Sequence, residues 1–126
     1  MMNRKIDEIV KDYYKDLTEA FKTGKLNLNK LHLAEDVLLL RPHEKFEGRQ
    51  NVEKAMQDNL IPYFKRFELV HQFYDSTMAC SIIDCVTKAS ATIPTAEWLK
   101  IRDGKIFEIH QFFDSTAWSR AMDHLR

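Results

Sequence analysis

The chain has 126 residues, with 19 Lys and Arg against 19 Asp and Glu, 44% hydrophobic residues and 30% charged ones. That is the size of one ordinary globular domain, large enough for a hydrophobic core without disulfides or a metal, and its composition excludes intrinsic disorder. Residues 1–63 carry 11 charges of each sign and residues 64–126 carry 8 of each, so no basic arm or stripe is available for nucleic acid or an anionic membrane. The expected partner is a small molecule or a second copy of the chain. No stretch approaches the roughly 18 apolar residues of a membrane span. The start, M-M-N-R-K-I-D-E-I, lacks the apolar run of a secretory leader, so a cytoplasmic protein is expected.

Ile6, Ile9, Val10, Tyr13, Leu17, Ala20 and Phe21 recur at helical spacing, predicting a first helix that Gly24 stops. A second, shorter helix is predicted over Asn27 to Ala34, with Leu28 and Leu31 inward. Asp36 to Arg41 reads as a short strand stopped by Pro42. A third helix follows Gly48, runs through Leu60 and ends at Pro62. From Lys65 the period becomes strand-like. Strands are predicted around Phe67 to Tyr74, over Met78 to Lys88, over Ala96 to Arg102 and over Lys105 to Phe113, with Asp103-Gly104 as a hairpin turn. A short C-terminal helix carries Trp118, Ala121, Met122 and Leu125 on one side. This order predicts an α+β layout, with helices on one face of a curved antiparallel sheet. Without a repeat or a linker, residues 1–126 read as one domain.

Cys80 and Cys85 sit at an odd spacing in one strand, so they point to opposite faces and read as two reduced, buried thiols. The five histidines show no metal-ligand spacing, and three scattered glycines cannot form a phosphate loop. No metal or other cofactor is expected.

Glu97, Leu99 and Ile101 share one face of their strand, and Trp98, Lys100 and Arg102 share the other. The two cations require solvent, which turns Glu97 toward the apolar interior. A carboxyl there needs a partner or a raised pKa. Arg41, ending the first strand, reads as an anion or carbonyl clamp at a pocket mouth, as a structural partner of Glu97, or as a surface arginine. Tyr13 and Tyr14 lie on the first helix, and His43 lies in a loop where a histidine titrates near neutrality. Asp114 can cap the last helix beside Ser115 and Thr116. His110, Phe112 and Trp98 share the outward set of positions expected of a dimer surface.

Three phrases stand in order along the chain: A-E-D-V-L-L-L-R-P (Ala34 to Pro42), F-E-G-R-Q-N-V-E-K-A (Phe46 to Ala55) and E-W-L-K-I-R-D-G-K-I-F-E-I-H-Q-F-F-D (Glu97 to Asp114). Together they resemble the nuclear-transport-factor-2-like superfamily, which includes ketosteroid isomerases, limonene epoxide hydrolases, scytalone dehydratases and SnoaL-like cyclases. The resemblance implies a cone-shaped curved antiparallel sheet wrapped around three N-terminal helices, with a short C-terminal helix, a deep apolar pocket and a homodimer through the outer sheet face. It implies that Phe107, Ile109, Gln111 and Phe113 face the pocket. It also implies that Leu17, Phe21, Leu39, Met56, Tyr63 and Leu99 help to line it. Glu97 resembles the oxyanion-hole acid of ketosteroid isomerases. Asp114 resembles the acid/base aspartate of SnoaL-like cyclases. Arg41 stands where ketosteroid isomerases hold their base, Gln111 where limonene epoxide hydrolases hold an aspartate, and Leu17 where the family's tyrosine sits. The implied function is small-molecule binding, with cofactor-independent acid/base chemistry of the isomerase, cyclase, dehydratase or hydrolase type. In that chemistry Glu97 exchanges the proton, Arg41 and Tyr14 stabilise an oxyanion, and Asp114 or His43 assists. The alternative is a non-enzymatic ligand-binding or structural dimer.

Overall fold

A computed structural model describes residues 6–125. The start of the chain, where a secretory leader would begin, lies mainly in residues 1–5, outside the described residues. Helix α1 (Ile6–Thr23) buries Ile9, Val10, Tyr13, Leu17 and Ala20, the stripe that its spacing marks. Gly24 reverses the chain at φ +84°, a conformation glycine adopts at little cost, and its N–H donates to the Ala20 carbonyl at 2.7 Å.

The second helix is a correction. Only one 3-10 turn forms, Leu28–Lys30, with the Asn27 side chain accepting from Asn29 N. Leu28 is 42% exposed rather than inward. His32 takes a left-handed φ of 55°, and Leu33 and Ala34 then open strand β1 (Leu33–Arg41). The Leu31-His32-Leu33 alternation fits a strand period, and pairing of Leu33 with Ile106 fixes it in the sheet.

Strand β1 ends at Arg41, immediately before Pro42, as expected. Pro42 and His43 turn the chain into β2 (Glu44–Glu47), an edge strand whose pattern is silent in the sequence because Phe46 is its single apolar residue. Helix α2 (Arg49–Asn59) buries Val52, Ala55 and Met56. Strands β3 (Phe64–Tyr74), β4 (Met78–Thr87), β5 (Thr92–Arg102) and β6 (Lys105–Phe113) form an antiparallel meander. Asp103 and Gly104 turn its last hairpin with φ of 53° and 74°, the paired left-handed geometry of a two-residue loop.

The sheet order is β2-β1-β6-β5-β4-β3. Strand β1 runs parallel to β6, so the sheet is mixed rather than antiparallel throughout. The architecture is α+β with a curved sheet, and register shifts in β3 and between β5 and β6 mark where it bends. Two helices and a 3-10 turn, rather than three helices, precede the meander, and α3 (Ser115–His124) follows it. Helix α1 packs against β3 and β4, and α2 against β1 and β2. Among the described residues, no helix is long and apolar enough to cross a membrane.

Leu17, Leu39, Met56, Leu99 and Ile109 all belong to one buried cluster. Cys85 is buried and Cys80 only half-buried, so one of the two expected buried thiols is not. Burial pushes the Cys85 thiol up to about 12, which makes it inert at neutral pH. In β6 the alternation fails at one point. Lys100 pairs with Glu108 but Ile101 pairs with Ile106, so Phe107 is the extra residue of a bulge. Ile106 turns fully inward. Phe107 does not join it, and instead lies under the Arg102 guanidinium at 4.6 Å.

Candidate functional site

Glu97 is 1% exposed on the inner face of β5, directly opposite Ser81 of β4 and Gln111 of β6. Three donors reach its carboxyl. Gln111 Nε2 donates to Oε2 at 2.6 Å, Tyr14 Oη to Oε1 at 2.7 Å, and Tyr13 Oη to Oε2 at 3.5 Å. The strand pairing places Gln111. Helix α1 places both tyrosines, which extend from adjacent positions toward one carboxyl, with the rings edge to face at 5.1 Å. Among the described residues, no cation contributes to its electrostatics. Burial therefore pushes its pKa above the ordinary value, against the downward pull of the Gln111, Tyr14 and Tyr13 hydrogen bonds. Burial raises both tyrosines, so their hydroxyls stay protonated donors.

Glu97 and Gln111 border a chamber of about 10 Å³, walled by Leu60, Phe67, Phe113 and Trp118. That is room for about one water molecule. Trp118 stands against Phe113 at 4.8 Å and Phe64 at 5.0 Å between ring centroids. Phe21 lies behind this wall, 5.0 Å from Phe67.

Arg41 is held apart from Glu97. Its side chain is 6% exposed, and Nη1 stands 3.7 Å from Glu44 Oε1 across the hairpin that Pro42 and His43 turn. Its guanidinium lies 4.3 Å from the Trp118 ring centroid and 5.3 Å from that of Phe113. Nε and Nη2 are buried without a hydrogen-bond partner. Burial lowers its pKa and Glu44 opposes the shift, but a guanidinium stays protonated. Arg41 borders a second cavity of about 330 Å³ with Glu44, Asn59, Tyr63, Trp118, Ser119 and Met122. Trp118 is thus common to both spaces.

Of the residues that the sequence singles out, Glu97, Tyr14, Gln111 and Phe113 come together, and Tyr63 stands with Arg41. Leu17, Leu39, Met56, Leu99 and Ile109 line neither space; they are packed core. His43 is an exposed turn residue at φ 65°. Asp114 caps α3, accepting from Thr116 N at 2.9 Å and Ala117 N at 3.4 Å. Tyr13 and Trp118 are recognisable in the sequence as helix-face residues, but nothing there shows that they meet a carboxyl and a guanidinium. Among the described residues, no group of three or more His, Cys, Asp or Glu side chains converges as a metal site.

A pKa raised in the folded state gives stability that is complete below the ordinary carboxyl pKa and is lost as pH rises through the raised one. Glu97→Gln keeps the shape and removes that titration. The melting temperature of the wild type should therefore fall relative to Glu97→Gln as pH rises above the ordinary carboxyl value of about 4.3. A difference that does not change with pH contradicts a raised Glu97.

The chain matches no family model and no curated protein sequence. Solved structures do resemble it. A nuclear-transport-factor-2-like protein of unknown function from Cytophaga hutchinsonii is 19% identical, with TM-score 0.69 over 94% of this chain and 99% of that one. A Kribbella flavida protein assigned as a ketosteroid isomerase is 16% identical, with TM-score 0.72 over 90% and 82%. A Shewanella denitrificans protein assigned as a SnoaL-like polyketide cyclase is 15% identical, with TM-score 0.70 over 94% and 96%. The chain has the nuclear-transport-factor-2-like fold.

Proposed function

We propose that the protein is a cofactor-independent acid/base enzyme acting on a hydrophobic small molecule, of the isomerase, cyclase, dehydratase or hydrolase type. The observation that carries this is the Glu97 carboxyl, buried among three hydrogen-bond donors with no cation against it among the described residues. With its pKa raised by burial, it can give a proton to a carbonyl, hydroxyl or leaving oxygen. The carboxylate so formed is received by Gln111, Tyr14 and Tyr13, donors already oriented toward it in a buried site. Taking a proton back from carbon restores the starting state. The fold's occurrence among proteins assigned as ketosteroid isomerases and polyketide cyclases supports the class of chemistry, although a fold by itself does not fix a reaction. Substrate entry requires the aromatic wall at Trp118 and Phe113 to move, because the chamber holds no more than a water.

That closed chamber favours a second reading, a non-enzymatic dimer of the same fold. Two cross-strand rows on the outer face supply its surface. Phe73, Cys80, Trp98 and His110 form one; His71, Ile82, Ala96 and Phe112 form the other. Phe73 is 62% exposed and Phe112 48%, as an apolar interface would require. We place the homodimer there under either reading, and in the cytoplasm, where Cys80 and Cys85 stay thiols.

Mass spectrometry of compounds that copurify with the protein, followed by turnover assays on them, separates the two readings. The enzyme reading expects a hydrophobic compound whose conversion falls on the order of 10²-fold or more in Glu97→Gln. Unchanged retention and turnover would remove the role given to Glu97. For the dimer, analytical ultracentrifugation at micromolar concentration should show two copies for the wild type and one for Phe112→Lys. A wild-type monomer contradicts the interface.

A further inference from the structure

We propose that the cavity at Arg41 is a subsite for an organic carboxylate, and that a ligand occupying it displaces the Trp118 indole. The inference deepens the enzyme reading and rests on it only in assigning the carboxylate to the substrate; the subsite itself stands on Arg41.

A buried guanidinium normally finds partners for its donors, because leaving them unpaired is costly. Arg41 does not: Nε and Nη2 are buried and unpartnered, while Nη1 faces Glu44 at 3.7 Å. Nε and Nη2 are the two donors along one edge of the guanidinium plane. A carboxylate takes that edge with two parallel hydrogen bonds. Aromatic rings lie against the group, Trp118 at 4.3 Å and Phe113 at 5.3 Å, and offer no acceptor to the unpartnered edge, which is the place for an anion.

The surroundings select among anions. Glu44 already offsets part of the Arg41 charge, so one further negative charge is accommodated better than two. This favours a monocarboxylate over a phosphate dianion. Asn59, Tyr63 and Ser119 border the same cavity of about 330 Å³ and supply neutral polar groups. That volume lies at the small end of ligand pockets, which suits an organic acid of modest size.

Trp118 links this subsite to Glu97. Its ring lies against the Arg41 guanidinium and also walls the Glu97 chamber. Nε and Nη2 are buried, and Trp118 is the side chain common to the Arg41 cavity and the Glu97 chamber, so it is the ring that a carboxylate entering to reach the edge would displace. Moving it opens the wall of the chamber. A substrate carrying a carboxylate would then unlock the proton-transfer site by binding, whereas a neutral analogue would not.

The test is a binding titration that does not depend on turnover. Trp98→Phe leaves Trp118 as the one tryptophan of the two in the chain, and Trp98 lies on the outer face. In that background, acetate, hexanoate and cyclohexanecarboxylate are titrated at constant ionic strength against their primary amides, with Trp118 emission and calorimetry as readouts. At least one carboxylate should bind with a change in Trp118 emission, its amide about tenfold more weakly or not at all. Arg41→Met and Arg41→Lys should each weaken it by about tenfold or more, the lysine variant because it keeps the charge but loses the fork. Glu97→Gln should bind it as the parent does. Equal binding of acid and amide, unchanged binding in both Arg41 variants, or no binding by any of the three acids overturns the subsite. Loss of the Glu97 role with Arg41-dependent binding intact would overturn the enzyme reading instead.

Discussion

A carboxyl shut away from water must either meet a cation or give up its charge. Among the described residues, no cation meets Glu97. The strand pairing that sets Glu97 opposite Gln111 and Ser81, and the helix that presents Tyr13 and Tyr14 across from it, surround the group with neutral donors. Two opposed effects then act on one proton. Burial holds it on; three hydrogen bonds favour its release. A group balanced in that way can deliver a proton without a metal, and it borders a small chamber with aromatic rings in its wall, beside a packed aliphatic core.

Arg41 is the counterpart charge, and it is kept elsewhere. An ion pair between Arg41 and Glu97 would have been the simplest way to bury both, and would have fixed both as structural. Instead the guanidinium lies under Trp118 and beside Phe113, with Glu44 as its anion. One indole ring borders both the guanidinium and the chamber of the carboxyl. That arrangement leaves donors on Arg41 unused, which makes sense where a third molecule supplies the missing partner.

Much of the fold is legible in the sequence because periodicity is a local property. The α1 stripe, the Asp103-Gly104 turn and the inward face of β5 follow from spacing alone, and the Lys100 and Arg102 side chains do turn outward while Glu97 and Leu99 turn in. The failures are non-local. Asn27 to Ala34 has helix-like composition, but Leu33 is claimed by pairing with Ile106 on a distant strand. Strand β2 has one apolar residue and exists because the Pro42-His43 turn folds it back on β1. The bulge at Phe107 takes that side chain out of the inward set and puts Ile106 in, while Ile109 and Gln111 keep their expected face. The site divides similarly. A carboxylate on an apolar face marks Glu97 from its own strand, but its tyrosine partners come from a helix more than eighty positions earlier, and Trp118 meets Arg41 from the far end of the chain.

Proton transfer by this site requires Glu97 to hold its proton where an ordinary glutamate has lost it. The most direct measurement is a pH titration of the Glu97 side-chain carboxyl by carbon-13 NMR, assigned by the signal lost in Glu97→Gln. A midpoint above the usual glutamate value of about 4.3 is predicted. A midpoint at or below that value would mean that the three hydrogen bonds outweigh burial, that the group is a carboxylate at neutral pH, and that it cannot serve as the proton donor.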